Sequence, residues 1–345
     1  MERTGTVMRL HRAAAILLCP MASACTGAQS VLAPAGEQAS SLFSLLQLMV
    51  WVCGAVYALV LLFLGWSMVR IWRRGVAVAN DAPQVDPADH GLNRTMLVWA
   101  ALILVGLTVL ITASFLADRH LASLRTQEAL RIRVTGHQWW WRIEYRDPAT
   151  GRWIETANEL HLPVDRTARV ELGSSDVIHS FWVPNVAGKL DVIPGRANSI
   201  DMTPRRIGWF RGQCAEFCGV QHTNMAFDVK VESAAEFRRW LAAQARPADA
   251  PADPVLARGA AVVTQGACAL CHSVRGTSAA GRPGPDLTHV GGRRSIAAGT
   301  LAMSRGALQG WIANPKALKP GTTMPVVPLD AADANAVAAY LETLK

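Results

Sequence analysis

The sequence predicts a multidomain chain in three parts: two membrane-spanning helices, an all-β domain, and a small all-α domain at the C-terminus. Three observations carry that reading. Two apolar runs of membrane-spanning length occupy the first third of the chain. A middle stretch repeats short segments rich in Val, Ile and aromatics, separated by Gly, Pro, Asp and Asn, as in a β-sandwich or barrel. Residues 255–345 read as helices broken by Gly/Pro loops.

The bulk composition agrees. Of 345 residues, 51% are hydrophobic and only 17% charged, against about 25% charged in an average soluble domain. The net charge of +8 is scattered, and no Lys/Arg run interleaves with aromatics as a nucleic-acid groove requires. Nucleic acid is therefore not an expected partner.

Residues 1–25 read as a targeting segment: Arg9, His11 and Arg12, a short apolar stretch Ala13–Leu18, then Ala22-Ser23-Ala24-Cys25. Small residues before Cys25 fit a lipoprotein-type cut that would lipidate it. They fit a plain signal cut as well, and the Leu usual three residues before the Cys is missing. Residues 26–125 hold the two spans, Leu45–Val69 and Met96–Leu116, each close to the about 20 residues that cross a bilayer. Arg70, Arg73 and Arg74 close the first span, and Trp51, Trp66, Trp72 and Trp99 sit near span ends. A hairpin of two spans puts both chain ends on one side and the loop 71–93 on the other, which Arg73 and Arg74 mark as cytoplasmic. Cys53, inside the first span, reads as a small buried hydrophobe.

Residues 126–243 form the predicted β domain, with strands at Leu130–Val134, Trp139–Tyr145, Ala168–Leu172, Val177–Val183 and Phe227–Val231 and a closing helix Ala234–Ala243. Residues 244–254 are Pro/Ala/Asp-rich and read as an extended linker. Residues 255–345 follow, with helices at Val255–Gln265, Leu308–Ala313 and Ala331–Thr343.

Two clusters carry chemistry. The first is Cys214-Ala-Glu216-Phe-Cys218-Gly-Val-Gln-His222-Thr-Asn-Met225, with His179 upstream. Thiolates, imidazoles and a thioether form a soft donor set that favours copper over hard cations. One metal would make it a tetrahedral Cys2His2 site, the zinc geometry; two coppers could share the cysteines as bridges. Donor chemistry alone leaves both open. The second cluster, Cys268-Ala-Leu-Cys271-His272, is the c-type haem attachment pattern. Met324, in Pro320-Gly-Thr-Thr-Met324-Pro325, is the candidate second axial ligand, with Met303 and His289 as competitors. Gly284-Pro285-Asp286-Leu287 resembles the cytochrome c loop whose proline carbonyl accepts from the haem histidine.

The first cluster, together with His137-Gln-Trp139-Trp-Trp141, Asp191-Val-Ile-Pro-Gly-Arg196 and the two-span hairpin, resembles subunit II of haem–copper oxidases over residues 28–240. With the C-terminal haem pattern, the chain resembles the caa3 type, whose subunit II carries a fused cytochrome c. The resemblance implies a cupredoxin-like copper A domain followed by a class I cytochrome c domain. It implies His179, Cys214, Cys218, His222 and Met225 as side-chain ligands of a dinuclear copper, with Glu216 binding through its carbonyl and its carboxylate facing an interface magnesium. Trp139 matches the tryptophan through which electrons arrive. Expected partners are oxidase subunits I and III and a cytochrome c or cytochrome bc1-type donor, with the copper and haem domains on the periplasmic side of a bacterial inner membrane. Rival readings fare worse. A quinol oxidase subunit would lack the copper ligands, a nitrous oxide reductase would need a histidine-rich second domain, and a stand-alone redox carrier would not need two spans. The chain also departs from the family. Leu92-Asn93-Arg94 stands where many members carry a Glu at a proton-channel mouth, the usual proline within the second span is missing, and Asp86 or Asp89 are the substitutes at hand. Trp140 replaces the usual Tyr.

Overall fold

The computed structural model describes residues 27–74, 90–123, 129–147 and 150–345. The targeting segment with Cys25 and the loop carrying Asp86 and Asp89 lie outside the described residues. The chain divides into two compact units, one of residues 41–124 and one of everything else.

The first unit is built on helices α1 (Glu37–Arg74) and α2 (His90–Ser123). Both are long and apolar enough to cross a membrane, with mean hydropathies of 2.4 and 2.5 over their apolar windows. They are longer than the apolar runs that announce them. At 38 residues, α1 spans about 57 Å at 1.5 Å per residue, nearly twice a hydrocarbon core of about 30 Å. Once a helix has formed across lipid, its polar flanks continue the same hydrogen-bond ladder. Gly106 on α2 faces α1, where even a Cβ would rest in ordinary contact with Val52 Cγ1 at 3.6 Å.

The second unit contains a two-sheet β-sandwich. One sheet has the order β3 (Trp153–Ala157), β2 (Trp140–Arg146), β1 (Leu130–His137), β5 (Ala168–Ser174), β8 (Asn198–Met202). The other has β4 (Glu159–Pro163), β10 (Ala226–Glu232), β9 (Gly208–Cys214), β6 (His179–Trp182), β7 (Lys189–Val192). Only β1/β5 and β4/β10 pair parallel. Period-two alternation sets the faces: Leu130, Ile132 and Val134 of β1 and Trp141, Ile143 and Tyr145 of β2 point inward, and meet Phe181, Phe227 and Leu160 from the facing sheet. Trp141 is central, edge-on to Phe181 at 5.8 Å and to Phe227 at 5.7 Å. The three consecutive tryptophans separate as alternation demands. Trp141 is buried in the core, Trp140 stacks on His137 across the strand pair, and Trp139 occupies the two-residue turn between β1 and β2.

Strand β4 escaped prediction because Glu159 and His161 break its apolar pattern, yet all five of its residues are buried. Their polarity is paired internally. His161 bonds Glu232 through Nδ1 (2.7 Å) and Glu159 through Nε2 (3.0 Å), and its ring stacks on Trp240 at 3.8 Å. Trp240 belongs to α3 (Ala234–Gln244), which opens with a reciprocal Ser233/Glu236 capping box. Residues 27–40 also bind this domain, Ala35 N–H donating to Asn185 O and Glu37 N–H to Thr203 O.

The C-terminal portion is helical: α4 (Pro254–Gln265), α5 (Arg305–Ala313), α6 (Pro315–Leu318) and α7 (Ala331–Thr343), with a two-stranded ribbon β11 (Ser295–Ile296) and β12 (Leu301–Ala302). Gly259 lets α4 cross α7 against Ala336 and Tyr340, where any Cβ would strike the backbone. Its core gathers Val263, Val274, Leu308, Ile312, Val337 and Leu341. Residues 245–253 form no regular element, and they are bound rather than loose. Ala248 N–H donates to Arg275 O, Arg275 reaches back to Gln244 O, and His289 contacts Arg246 O. The helical portion lies directly on the sandwich. Arg294 N–H donates to Glu159 (2.9 Å), Ser295 to Asp228 (2.5 Å), and Ala226 N–H to Ala298 O (3.1 Å).

Candidate copper and haem sites

The sandwich delivers the five soft donors from two places. Strand β6 carries His179, and β9 ends at Cys214 beside it, through the pairing of Phe181 with Cys214. The loop after β9 turns through Cys218 and a short 3-10 turn His222–Asn224 to Met225, so that chain and fold return to the same point. The two Sγ atoms lie 3.6 Å apart, and sulfurs so spaced subtend about 103° at a metal about 2.3 Å from each. His179 Nδ1 is 3.8 Å from Cys214 Sγ, while His222 Nδ1 is 3.7 Å and Met225 Sδ 3.8 Å from Cys218 Sγ. The Glu216 carbonyl oxygen stands 3.2 Å from Cys214 Sγ, and the Glu216 side chain is exposed. Each thiol thus has its own imidazole. The group in which every donor atom lies within 4.8 Å of the others holds His179, Cys214 and Cys218 and leaves out His222. Four ligands around one tetrahedral ion would all fall inside that distance, so the donors fit two ions sharing two sulfurs better than one zinc. The Cys218 thiol beside it pulls Cys214 down to about 3, a ready thiolate, and Cys214 in turn pushes Cys218 upward.

Residues around this cluster fix its ligands. His179 Nε2 bonds Asp176 at 2.8 Å, which leaves Nδ1 for the metal side. Asp176 also accepts the backbone N–H groups of Val177 and Gln138, each at 2.7 Å. Burial tends to raise the Asp176 carboxyl, and these bonds, His179 foremost, hold it below the usual range. The Trp139 indole N–H and the Gln138 amide both donate to Cys218 O, at 2.9 and 2.8 Å.

In the helical portion, Cys268, Cys271, His272, Pro285 and Met324 line one largely apolar cavity. His272 Nδ1 donates to Pro285 O at 2.8 Å. Burial lowers the pKa of this imidazole, so it is neutral with Nε2 available to a metal. Gly284 keeps the cradle open, since a Cβ there would stand 2.7 Å from His272 Cε1. Of the three candidates for the second axial position, Met324 lines the cavity; His289, whose ring nitrogens lie 3.0 Å from Lys345 O and 3.1 Å from Arg246 O, and Met303 do not. Arg293 does line it, fully buried, with Nε lacking a partner among the described residues. Its Nη2 donates to Asp286 O, so the unpartnered Nε is the edge that suits a carboxylate of a haem. The cavity's remaining wall comes from the sandwich: Gln138, Trp139, Trp140 and Asn158.

Comparison with known proteins points to one family. Residues 147–232 match the family described as cytochrome c oxidase subunit II, periplasmic domain, and residues 256–345 match cytochrome c. Cytochrome c oxidase subunit 2 of Alkalihalophilus pseudofirmus is 30% identical over 329 residues, covering 93% of each chain. That of Bacillus subtilis is 30% identical over 334 residues, covering 92% of each. The chain belongs to the cytochrome c oxidase subunit 2 family. Among solved structures, the periplasmic domain of subunit II of cytochrome oxidase from Bradyrhizobium japonicum is 33% identical, covering 34% of this chain and 95% of that one, with a TM-score of 0.32. This subunit 2 carries a copper-binding sandwich and a cytochrome c domain behind two apolar helices, as a membrane component of a haem–copper oxidase.

The sequence pointed to every donor named above. It did not point to Asp176, Gln138 or Arg293. Asp176 is three residues before His179, a spacing that could have suggested an orienting carboxylate; the other two gain their roles only through long-range contacts.

Proposed function

We propose that electrons reach this chain at its own haem, or from a cytochrome c donor, pass to a dinuclear copper A centre, and leave past His222 to a haem of subunit I. There oxygen is reduced to water with proton translocation. When bound, the haem and the copper pair supply one-electron chemistry; the chain's residues hold, orient and shield them. In this reading Cys268 and Cys271 would tether a haem, His272 and Met324 would hold its iron, and Pro285 orients the His272 ring. Cys214, Cys218, His179, His222, Met225 and the Glu216 carbonyl would hold the copper pair. The exposed Glu216 carboxylate would meet subunit I and an interface magnesium. Subunit III and a cytochrome bc1-type donor complete the expected set of partners, on the periplasmic side of the inner membrane.

Trp139 is the observation that carries this path. Its side chain lines the haem cavity, while its indole N–H is bonded to the carbonyl of Cys218. One residue therefore touches the surroundings of both centres, and its indole is only 8% exposed. Purification of the complex through this chain tests the proposal. Two coppers and one covalent haem per chain, a co-purifying haem-bearing subunit, and oxygen consumption with reduced cytochrome c are expected. Zinc in place of copper, or copper absorption that survives Cys218→Ser, would overturn the site assignment.

A further inference from the structure

Lys319 is 2% exposed and has no carboxylate within salt-bridge distance among the described residues. Its ammonium instead donates to three backbone carbonyls: Trp139 O at 2.9 Å, Asn224 O at 2.7 Å and Ala297 O at 2.9 Å. Three donors meet three acceptors, so the group is saturated. The addresses of those acceptors matter. Trp139 sits in the turn between the haem cavity and Cys218, Asn224 lies between His222 and Met225, and Ala297 belongs to the helical portion. Lys319 itself begins the segment that ends at Met324. Neighbouring contacts reinforce the seam: Gln221 donates its amide N–H to Pro320 O at 2.7 Å, and Gly321, at φ +87°, leaves room for Val220 and the Trp139 ring.

An ammonium without a counter-ion is costly to bury, and burial draws the Lys319 pKa down to about 7. An apolar side chain of the same length would fill the space without that cost, but it would tie nothing together. We propose that Lys319 is a positioning residue that holds the Met324 segment of the haem site against Trp139 and the copper-ligand loop, setting the geometry for electron transfer between the two centres. The proposal rests on the haem-to-copper path proposed above, and its test separates the two.

The test uses the full chain in its purified complex, with one electron delivered photochemically to the haem and copper reduction followed by absorbance. In the unmodified protein, failure of the haem to reduce the copper would sink the path itself, independently of Lys319. If the path holds, Lys319→Met and Lys319→Ala are expected to slow the step severalfold, since tunnelling falls off with distance, while haem and copper spectra keep their ligand signatures. Propylammonium supplies the atoms missing from Lys319→Ala and should restore much of its rate, but not that of Lys319→Met, whose side chain fills the site. Rates within two-fold of the unmodified protein in both variants would overturn the proposal, as would slowing that propylammonium does not relieve. Loss of either centre's signature in both variants would mark Lys319 as a support for folding alone, and would overturn it too.

Discussion

Replacing Asp176 by Asn tests how far the copper site depends on a residue that touches no donor atom of the metal. The Asp176 carboxylate accepts three N–H groups: Val177 N and His179 Nε2 on one oxygen, and Gln138 N on the other. An amide of the same shape has one acceptor oxygen. In either orientation its NH2 must face at least one of those donors at about 2.7–2.8 Å, the carboxylate spacing observed here. The variant can hold His179 or Gln138, but not both. If His179 is released, the tautomer that presents Nδ1 is no longer enforced. If Gln138 is released, the turn that anchors Cys218 O loosens. Loss of such orienting contacts typically lowers metal affinity about 10- to 100-fold, or about 1.4–2.7 kcal/mol. Competitive copper titration of the purified complex against a chelator, read at the copper–thiolate absorption, measures it directly. Unchanged haem absorption serves as the internal control. Copper affinity within two-fold of the unmodified protein would refute the reasoning, because the ligand geometry would then be indifferent to the carboxylate.

Other perturbations follow from the same contacts. Gly284→Ala should cut the fraction of chain carrying haem, since the new methyl would lie 2.7 Å from His272 Cε1; haem absorbance per chain reports it. Trp141→Ala empties the fully buried centre of the sandwich and should destabilise it by about 3–5 kcal/mol, read as an earlier thermal loss of copper absorption. The Glu159–His161–Glu232 cluster predicts a pH dependence. Burial pulls His161 down, but its two carboxylate partners outweigh it and raise its pKa; both carboxyls are lowered, His161 outweighing their own burial. The histidine's contribution to stability is therefore full below about 6.5 and lost as pH rises through its raised folded value. The carboxylates' contribution is full above about 4.5 and lost as pH falls through their lowered values. Thermal midpoints should peak between those limits, and His161→Gln should flatten the alkaline limb.

Much of this organisation was legible in the sequence, and the reason differs by element. The apolar runs of α1 and α2 and the alternation of β1, β2 and β10 are local signals, so they stood out. Strands β4 and β7 did not, because Glu159 and His161 are paired in the fold with each other and with Arg294 and Glu232, 135 and 71 residues away, and Lys189 and Asp191 alternate weakly at an edge. The donors of both sites were legible because close sequence spacing carries their chemistry. The second tier was not. Asp176 needs the β1–β2 turn folded beside it, Arg293 needs the cavity, and Lys319 needs acceptors 180, 95 and 22 residues away. The linker's composition gave its irregular backbone but not its docking, since Arg275 and His289 reach it from elsewhere.

The shared wall of the haem cavity has a thermodynamic consequence. Because Gln138, Trp139, Trp140 and Asn158 of the sandwich close a space that the helical portion opens, the two domains are not separate beads on a string. Severing the helical portion would expose that face of a bound haem to water, which favours its more highly charged oxidised state and lowers its reduction potential. By linkage, reduction of the haem in the intact chain should then strengthen domain association by the same free energy. The joint between the domains would tighten when an electron is aboard and slacken once it has moved on.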